Sequence, residues 1–251
     1  GEKAMRCPGQ DTQYWKPEDI FETPCPTCGK MIEFFKDDPS RKCRNCGAKV
    51  LNPKIDFGCA AYCSFAEQCL KELPPEILAQ RKNIFSEKVA CEMRQYFGDD
   101  RRRIKHAEKV ALHAERIGRE EKCDMAVVLA AAYLHDIGIH EVEKRYASTA
   151  AKYQEELGPA IARGILECIG ADPRIIEEVS DIIGHHHHPQ PEETINFKAL
   201  YDADLIVNIQ EGDIKKPRDR DKLSHLIETK FLTEAGKRLA GEIFIKNTEV
   251  Q

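Results

Sequence analysis

From Glu76 to the C-terminus, apolar residues recur at helical spacing, interrupted by short polar breaks. The periodic stretches predict helices over Ile77–Phe97, Ile104–Ile117, Met125–His135, Tyr146–Leu157, Ala160–Ile169, Arg174–Ile183, Phe197–Ile209, Lys222–Thr229 and Thr233–Lys246. Gly98, Gly118, Gly138, Gly170 and Gly184 fall at or near the proposed ends, where helices often stop. Before residue 73 the pattern is different. Apolar runs are short, and Met31–Phe35 and Ala48–Leu51 read as brief strands. Cys59–Glu72 reads as helical, and Leu73-Pro74-Pro75 breaks the chain, because proline neither continues a helix nor lets its neighbour do so. The expected architecture is therefore mainly α: a helical bundle over 76–251 preceded by a small Cys-rich module over 1–73.

Composition narrows the function classes. The chain has 251 residues, 41% of them hydrophobic and 32% charged, with net charge −5, which suits a packed helical core with solvated faces. A nucleic-acid or membrane-surface binder would lean basic, so neither is expected as a partner. No apolar run reaches the roughly 18 residues a membrane helix needs, and the opening Gly1–Trp15 is polar, unlike a secretory leader.

Cysteine changes the picture. There are 11 in the chain, crowded towards its start. With no export signal in view, a cytoplasmic, reducing setting is expected, where thiols bind metal rather than pair. Cys25-Pro-Thr-Cys28-Gly and Cys43-Arg-Asn-Cys46-Gly are two knuckles separated by a hairpin-length segment. Two residues between thiolates let both reach one ion from a tight turn, so these four predict a closed, structural zinc ribbon. Cys7, Cys59, Cys63 and Cys69 form a second set, with Cys59 and Cys63 on one helical face. They could hold a second zinc, an iron–sulfur cluster, or no metal at all.

The helical part carries the candidate chemistry. Leu134-His135-Asp136-Ile137-Gly138 ends a helical run, where an adjacent imidazole and carboxylate can both reach one ion. His106 stands upstream in Arg103-Ile104-Lys105-His106, and Asp204 downstream in Tyr201-Asp202-Ala203-Asp204-Leu205. This order of His, then His-Asp, then Asp on successive helices resembles the HD-domain superfamily of metal-dependent phosphohydrolases, over about residues 84 to 215. The resemblance implies a helical HD bundle with His106, His135, Asp136 and Asp204 as metal ligands. Nitrogen and carboxylate donors suit Mn²⁺, Fe²⁺, Ni²⁺, Co²⁺ or Zn²⁺.

The run His185-His186-His187-His188 lies where binuclear relatives place ligands for a second metal. Those relatives also use a histidine on the helix after the His-Asp pair, and here that region reads Gln154-Glu155-Glu156, so a full binuclear site is in doubt unless Glu155 or Glu156 substitutes. Asp136, His186 and His187 are the candidate catalytic residues; His185, Arg103 and His140 are candidate substrate contacts. His113 and His225 read as structural or exposed, Asp202 as a support for Asp204 or a helix cap, and Tyr146 and Tyr201 as candidates to stack on a base.

Three functions follow in order. The first is hydrolysis of a phosphate ester or anhydride, foremost of a nucleotide. The second is a redox or metal sensor or adaptor with a silent HD domain. The third is an HD-type di-iron oxygenase, against which the missing helix histidine counts. Phosphatase or phosphodiesterase action, substrate identity and homo-oligomerisation all stay open.

Overall fold

The computed structural model describes residues 16, 19–35, 38, 40–54, 75–147, 150–217 and 219–245. The chain divides into two compact units, Gly1–Arg81 and Lys82–Gln251. The set Cys7, Cys59, Cys63 and Cys69, and the expected helix over Cys59–Glu72, lie outside the described residues.

The first unit contains two antiparallel hairpins. Strand β1 (Ile20–Pro24) pairs with β2 (Met31–Phe35), and β3 (Ser40–Lys42) with β4 (Lys49–Leu51). Alternation along β2 turns Ile32 and Phe34 inward and leaves Met31 and Glu33 exposed. Phe34 is fully buried and, with Ile32 and Val50, shares its core with Cys25 and Cys43. Register Phe21↔Phe34 stacks the two rings at a centroid distance of 6.0 Å. Asn52 ties the hairpins together, its Nδ2 donating to the Phe35 and Asp38 carbonyls at 3.1 and 2.9 Å.

Both hairpin turns have one construction. The Cys25 N–H donates to the Lys30 carbonyl and the Gly29 N–H to the Cys25 carbonyl; Cys43, Ala48 and Gly47 repeat the pair of bonds. Gly29 and Gly47 sit at φ +72 and +75°, the left-handed conformation that side chains resist. The turns bring Cys25 Sγ to 3.7 Å from Cys46 Sγ and Cys28 Sγ to 3.6 Å from Cys43 Sγ. A disulfide would need about 2.05 Å. Four sulfurs at about 2.3 Å from one ion lie about 3.8 Å apart at the corners of a tetrahedron, so the cluster has the size of a zinc–thiolate site. Asn45 and the Lys30 N–H hold the Cys28 thiol down at about 6, whereas burial and the three neighbouring thiols overcome the Ala48 N–H and push Cys46 up to about 12. Four thiolates crowd one another until a cation neutralises them.

Helix α1 (Pro75–Phe97) spans the boundary between the units, and in the second unit α2 (Arg101–Glu120) and α3 (Met125–Leu134) are followed by α4 (Ile139–Tyr146), α5 (Ala151–Cys168) and α6 (Pro173–Ile183). The chain ends with α7 (Ile195–Glu211), α8 (Arg220–Lys230) and α9 (Glu234–Phe244). Side-chain caps start six of these helices: Asp100, Asp124, Asp172, Thr194, Asp219 and Thr233 each accept an orphan N–H of the first turn. Helix α3 is apolar all round and packs against α2, α6 and α7, with Ala130, Ala131 and Ala132 letting its neighbours approach. The most apolar helical stretch, Met125–Tyr146, is 67% buried, so these neighbours account for its composition. Asp202 is fully buried on α7 and accepts from the Leu232 N–H, the Thr233 N–H and the Thr233 hydroxyl at 2.7–2.8 Å, which fixes the start of α9.

Two expectations are corrected here. The periods over Tyr146–Leu157 and Ala160–Ile169 belong to one helix, α5, which runs through Pro159. Proline withholds one N–H, but Gly158 before it has no Cβ to meet the ring. The expected start at Tyr146 is instead the end of α4, whose eight residues follow the His-Asp turn directly. Gly118 also lies within α2, which continues to Glu120.

Gly138 and Gly158 set the distance between the His-Asp turn, α5 and the end of α6. A Cβ on Gly138 would lie 2.9 Å from the Gly158 nitrogen and 3.0 Å from the Gln154 carbonyl; one on Gly158 would lie 2.9 Å from Ile183 Cγ2. Gly138→Ala is therefore expected to destabilise the helical unit by about 1–3 kcal/mol in denaturant unfolding. Gly164→Ala, at an exposed helical site with open space around it, should stabilise by about 0.5–1 kcal/mol. Equal effects would refute the packing argument. For the first unit, Cys28→Ser should cost the protein an equivalent of zinc relative to wild type, and remove part of the thiolate charge-transfer absorption of the Co²⁺-loaded form. An unchanged zinc content would refute the ribbon.

Candidate metal centre

Two helix ends and two helix faces build the site. His135 caps the C-terminus of α3 and bends back so that its Nδ1–H donates to the Ala132 carbonyl at 2.9 Å. That bond fixes the tautomer and leaves Nε2 as a free lone pair aimed inward. His186, just past the end of α6, does the same with Ile183 at 2.9 Å. His106 on α2 donates from Nδ1 to Glu211 Oε2 at 3.0 Å. Asp204 on α7 accepts from Asn208 Nδ2 at Oδ2, 2.8 Å, which leaves Oδ1 facing the histidines.

The four inward atoms converge. His106 Nε2 is 3.2 Å from Asp204 Oδ1 and 3.3 Å from His135 Nε2. His135 Nε2 is 3.5 Å from Asp136 Oδ2 and 3.6 Å from Asp204 Oδ1; His106 Nε2 is 3.9 Å from Asp136 Oδ2. Ligands at about 2.0–2.2 Å from one ion stand about 3.0–3.5 Å apart; His106, His135 and Asp136 form a compact group that could hold a divalent cation, and Asp204 Oδ1 stands beside both imidazoles. Asp136 also reaches the other way: its Oδ1 is 3.8 Å from His186 Nε2, and Asp136, His186 and His187 form a second convergent group. The His186 Nε2 and His187 Nδ1 atoms are buried and find no hydrogen-bond partner among the described residues. Glu155 lies beside them on α5, accepting the His187 N–H at 3.1 Å, with Oε1 3.5 Å from His187 Nδ1.

The charges respond to this crowding. Burial opposes protonation of His106, but the hydrogen bond and charge of Asp204, with Asp136 and Glu211 behind, lift it to about 9. Burial would raise Asp136, yet the surrounding His135, His186 and His106 hold it far below the usual carboxylate range. Burial and the neighbouring His186 push His187 down to about 4. The set thus keeps both carboxylates ionised and shares a proton where a cation would sit.

His106 and Asp136 open on a cleft of about 350 Å³, also lined by Arg102, Arg103, Ile139, Gln154, Asn208, Glu211 and Asp213. His135 and His186 lie behind it, 1% and 2% exposed. Arg103 reaches the cleft, but its guanidinium is tied to Asp100 and Glu143 at 3.0 and 2.6 Å. Two expected substrate contacts fall elsewhere. His140 bonds to Asp100 at 3.0 Å and packs edge-on against Phe97. His185 stacks on Phe197 and faces Glu193, because it points away from the side taken by His186. Asp202 supports α9 rather than Asp204. Asn208, Glu211, Gln154 and Asp213 were not expected; the first two follow Asp204 at helical spacing of four and seven, which is the only sequence signal they carry, whereas Arg102 belongs to the basic run before His106 that offers a phosphate contact.

A cation entering the centre must displace the proton held at His106. Since that imidazole is lifted to about 9, Mn²⁺ affinity is expected to rise about tenfold per pH unit from neutral pH and to level off above that value. Equilibrium Mn²⁺ titrations followed by electron paramagnetic resonance at several pH values check this; a flat profile would contradict the protonation scheme.

Residues 103–209 match the family model of the HD domain. No curated protein matches the chain. Among solved structures, a predicted HD superfamily hydrolase from an uncultured Thermotogales bacterium is 27% identical with a TM-score of 0.50, the match covering 65% of this chain and 87% of that one. An HD-superfamily hydrolase from Bacillus thuringiensis is 20% identical with a TM-score of 0.45, covering 68% and 100%. YpgQ from Bacillus subtilis is 18% identical with a TM-score of 0.46, covering 67% and 96%. All four of the donors His106, His135, Asp136 and Asp204 fall inside the segment that matches the HD-domain model.

Proposed function

We propose that the helical unit is a metal-dependent phosphohydrolase acting on a small phosphate ester or anhydride, with nucleotides the first class to try. The observation that carries this reading is the convergence of His106 Nε2, His135 Nε2, Asp136 Oδ2 and Asp204 Oδ1 at the floor of an open cleft. A divalent cation bound there supplies a Lewis acid for a phosphoryl oxygen and lowers the pKa of water. His106 and Asp136 present donor atoms towards the cleft, while His135 and Asp204 hold the centre from behind. Arg102, 80% exposed at the cleft's lip, is placed to meet substrate negative charge, with Asp213 3.5 Å away as its resting partner. Arg103 supports the lip through Asp100 and Glu143. The cleft's size falls at the small end of ligand pockets, about 300–1,000 Å³, which fits a phosphorylated metabolite.

The buried, unpartnered His186 Nε2 and His187 Nδ1 favour a second cation sharing Asp136 with the first. Glu155, not histidine, is the α5 residue beside that group. In this reading His186 and His187 act as ligands rather than as free acid–base groups.

Asp136→Ala is expected to lower Mn²⁺-supported turnover about 1,000-fold, equivalent to about 4 kcal/mol of barrier. Turnover is measured with a phosphomonoester, a phosphodiester and a nucleotide panel, which also separates phosphatase from phosphodiesterase action. His186→Ala should cost one bound cation while leaving the His106 group loaded. Retained turnover in Asp136→Ala would sink the enzyme reading; unchanged metal content in His186→Ala would sink only the second cation.

A further inference from the structure

We infer that Glu211, held by Lys109, is a positioning residue that sets the metal affinity of the centre through His106; the inference rests on the metal reading above. Three of the four histidines around the centre and its second group, His106, His135 and His186, have Nδ1 anchored, whereas His187 Nδ1 finds no hydrogen-bond partner among the described residues. For His135 and His186 the anchor is a backbone carbonyl, at 2.9 Å in both cases. For His106 it is the carboxylate of Glu211, at 3.0 Å. Glu211 is thus the one charged anchor of the three.

Its geometry excludes a role as a direct ligand. Glu211 Oε2 contacts Nδ1, on the far side of the ring from Nε2, and its other oxygen is taken by Lys109 Nζ at 2.7 Å. The carboxylate is 19% exposed, whereas Lys109 is 52% exposed and holds it from the solvent side. Its place is set by α7. Asp204, Asn208 and Glu211 follow one another on one helix face: ligand, clamp on that ligand, clamp on His106. Helix α7 ends immediately afterwards, where Gly212 at φ +87° caps it through Asn208, so Glu211 cannot be displaced along the axis without unwinding the turn.

A carboxylate on the distal nitrogen makes an imidazole a better donor and fixes its ring plane, and loss of such a partner costs about 10- to 100-fold in metal affinity. Glu211→Ala should therefore weaken Mn²⁺ binding to the full-length, zinc-loaded protein by that factor. Mn²⁺ is chosen because thiolate sites disfavour it. Glu211→Gln, which keeps the shape and an acceptor but not the charge, should fall between Glu211→Ala and wild type. Raising Mn²⁺ should restore turnover in Glu211→Gln with little change in substrate KM, a pattern that a merely structural residue would not give. His106→Ala sets the scale for loss of a ligand. If Glu211→Ala and Glu211→Gln bind Mn²⁺ within about twofold of wild type while His106→Ala does not, Glu211 has no positioning role. If His106→Ala also binds Mn²⁺ normally, the metal reading falls and this inference with it. Should Glu211→Ala fail to fold, the isosteric Glu211→Gln carries the test.

Discussion

An imidazole can serve a cation only if one nitrogen is deprotonated and pointed at it, and the other nitrogen decides whether that holds. In this protein the backbone makes that decision twice. His135 and His186 stand just past the ends of α3 and α6, and each bends back onto the carbonyl three residues upstream. A helix leaves its last carbonyls without partners, so the same bond closes the helix end and selects the tautomer. Much else follows from that placement. The His-Asp turn must be short, the helices must end side by side, and the two rings meet at a centroid distance of 5.4 Å with Asp136 beside both.

The close approach of those helix ends is achieved with small residues. Gly138 and Gly158 have no Cβ, and the space they leave lets α5 touch the His-Asp turn while Ile183 seals the contact from α6. The packing also brings Glu155 beside His187. Two ionised carboxylates among three histidines form a balanced cluster even before a cation enters. His106 and His186 are pushed up by the carboxylates, whereas His135 and His187 are pushed down by burial. The imidazoles therefore differ in direction because burial, carboxylate hydrogen bonds and neighbouring imidazoles balance differently at each one.

Much of this was legible in the residues. Ligand chemistry at a helix end is local, so His135-Asp136 announces itself, and His106 and Asp204 sit on strongly periodic helices. The two thiol knuckles are legible for the same reason. What escaped was non-local or short. Helix α4 has eight residues and only two buried apolar side chains, Ile139 and Val142, too few for a period. The continuity of α5 was hidden by Gly158-Pro159, which reads as a break unless the neighbouring turn is known. His185 and His186 are adjacent in sequence, yet one stacks on Phe197 and the other faces Asp136, a choice made by the tertiary partners. Glu211 reads as an ordinary polar residue at a helix end until α2 is laid beside α7.

The two units also divide metal chemistry between them. Four sulfurs 3.6–3.7 Å apart across each pair close a tetrahedron and leave no position for water or substrate. Their thiolates prefer a soft or borderline ion. Two imidazole nitrogens and two carboxylate oxygens beside a cleft accept harder ions and keep one side open. Among the described residues, Ile32, Phe34 and Val50 join the buried cysteines in this core, with Phe21 and Ala48 packed against it, so an ion on the four thiolates would supply much of its stability. Three such side chains contribute roughly 1.5–3 kcal/mol each, whereas structural zinc contributes about 10–16 kcal/mol. The helical unit has a large apolar core of its own, so its stability does not depend on an ion at the histidine–carboxylate group. That asymmetry supports the proposal that the thiolate site serves structure and the histidine–carboxylate centre serves reaction.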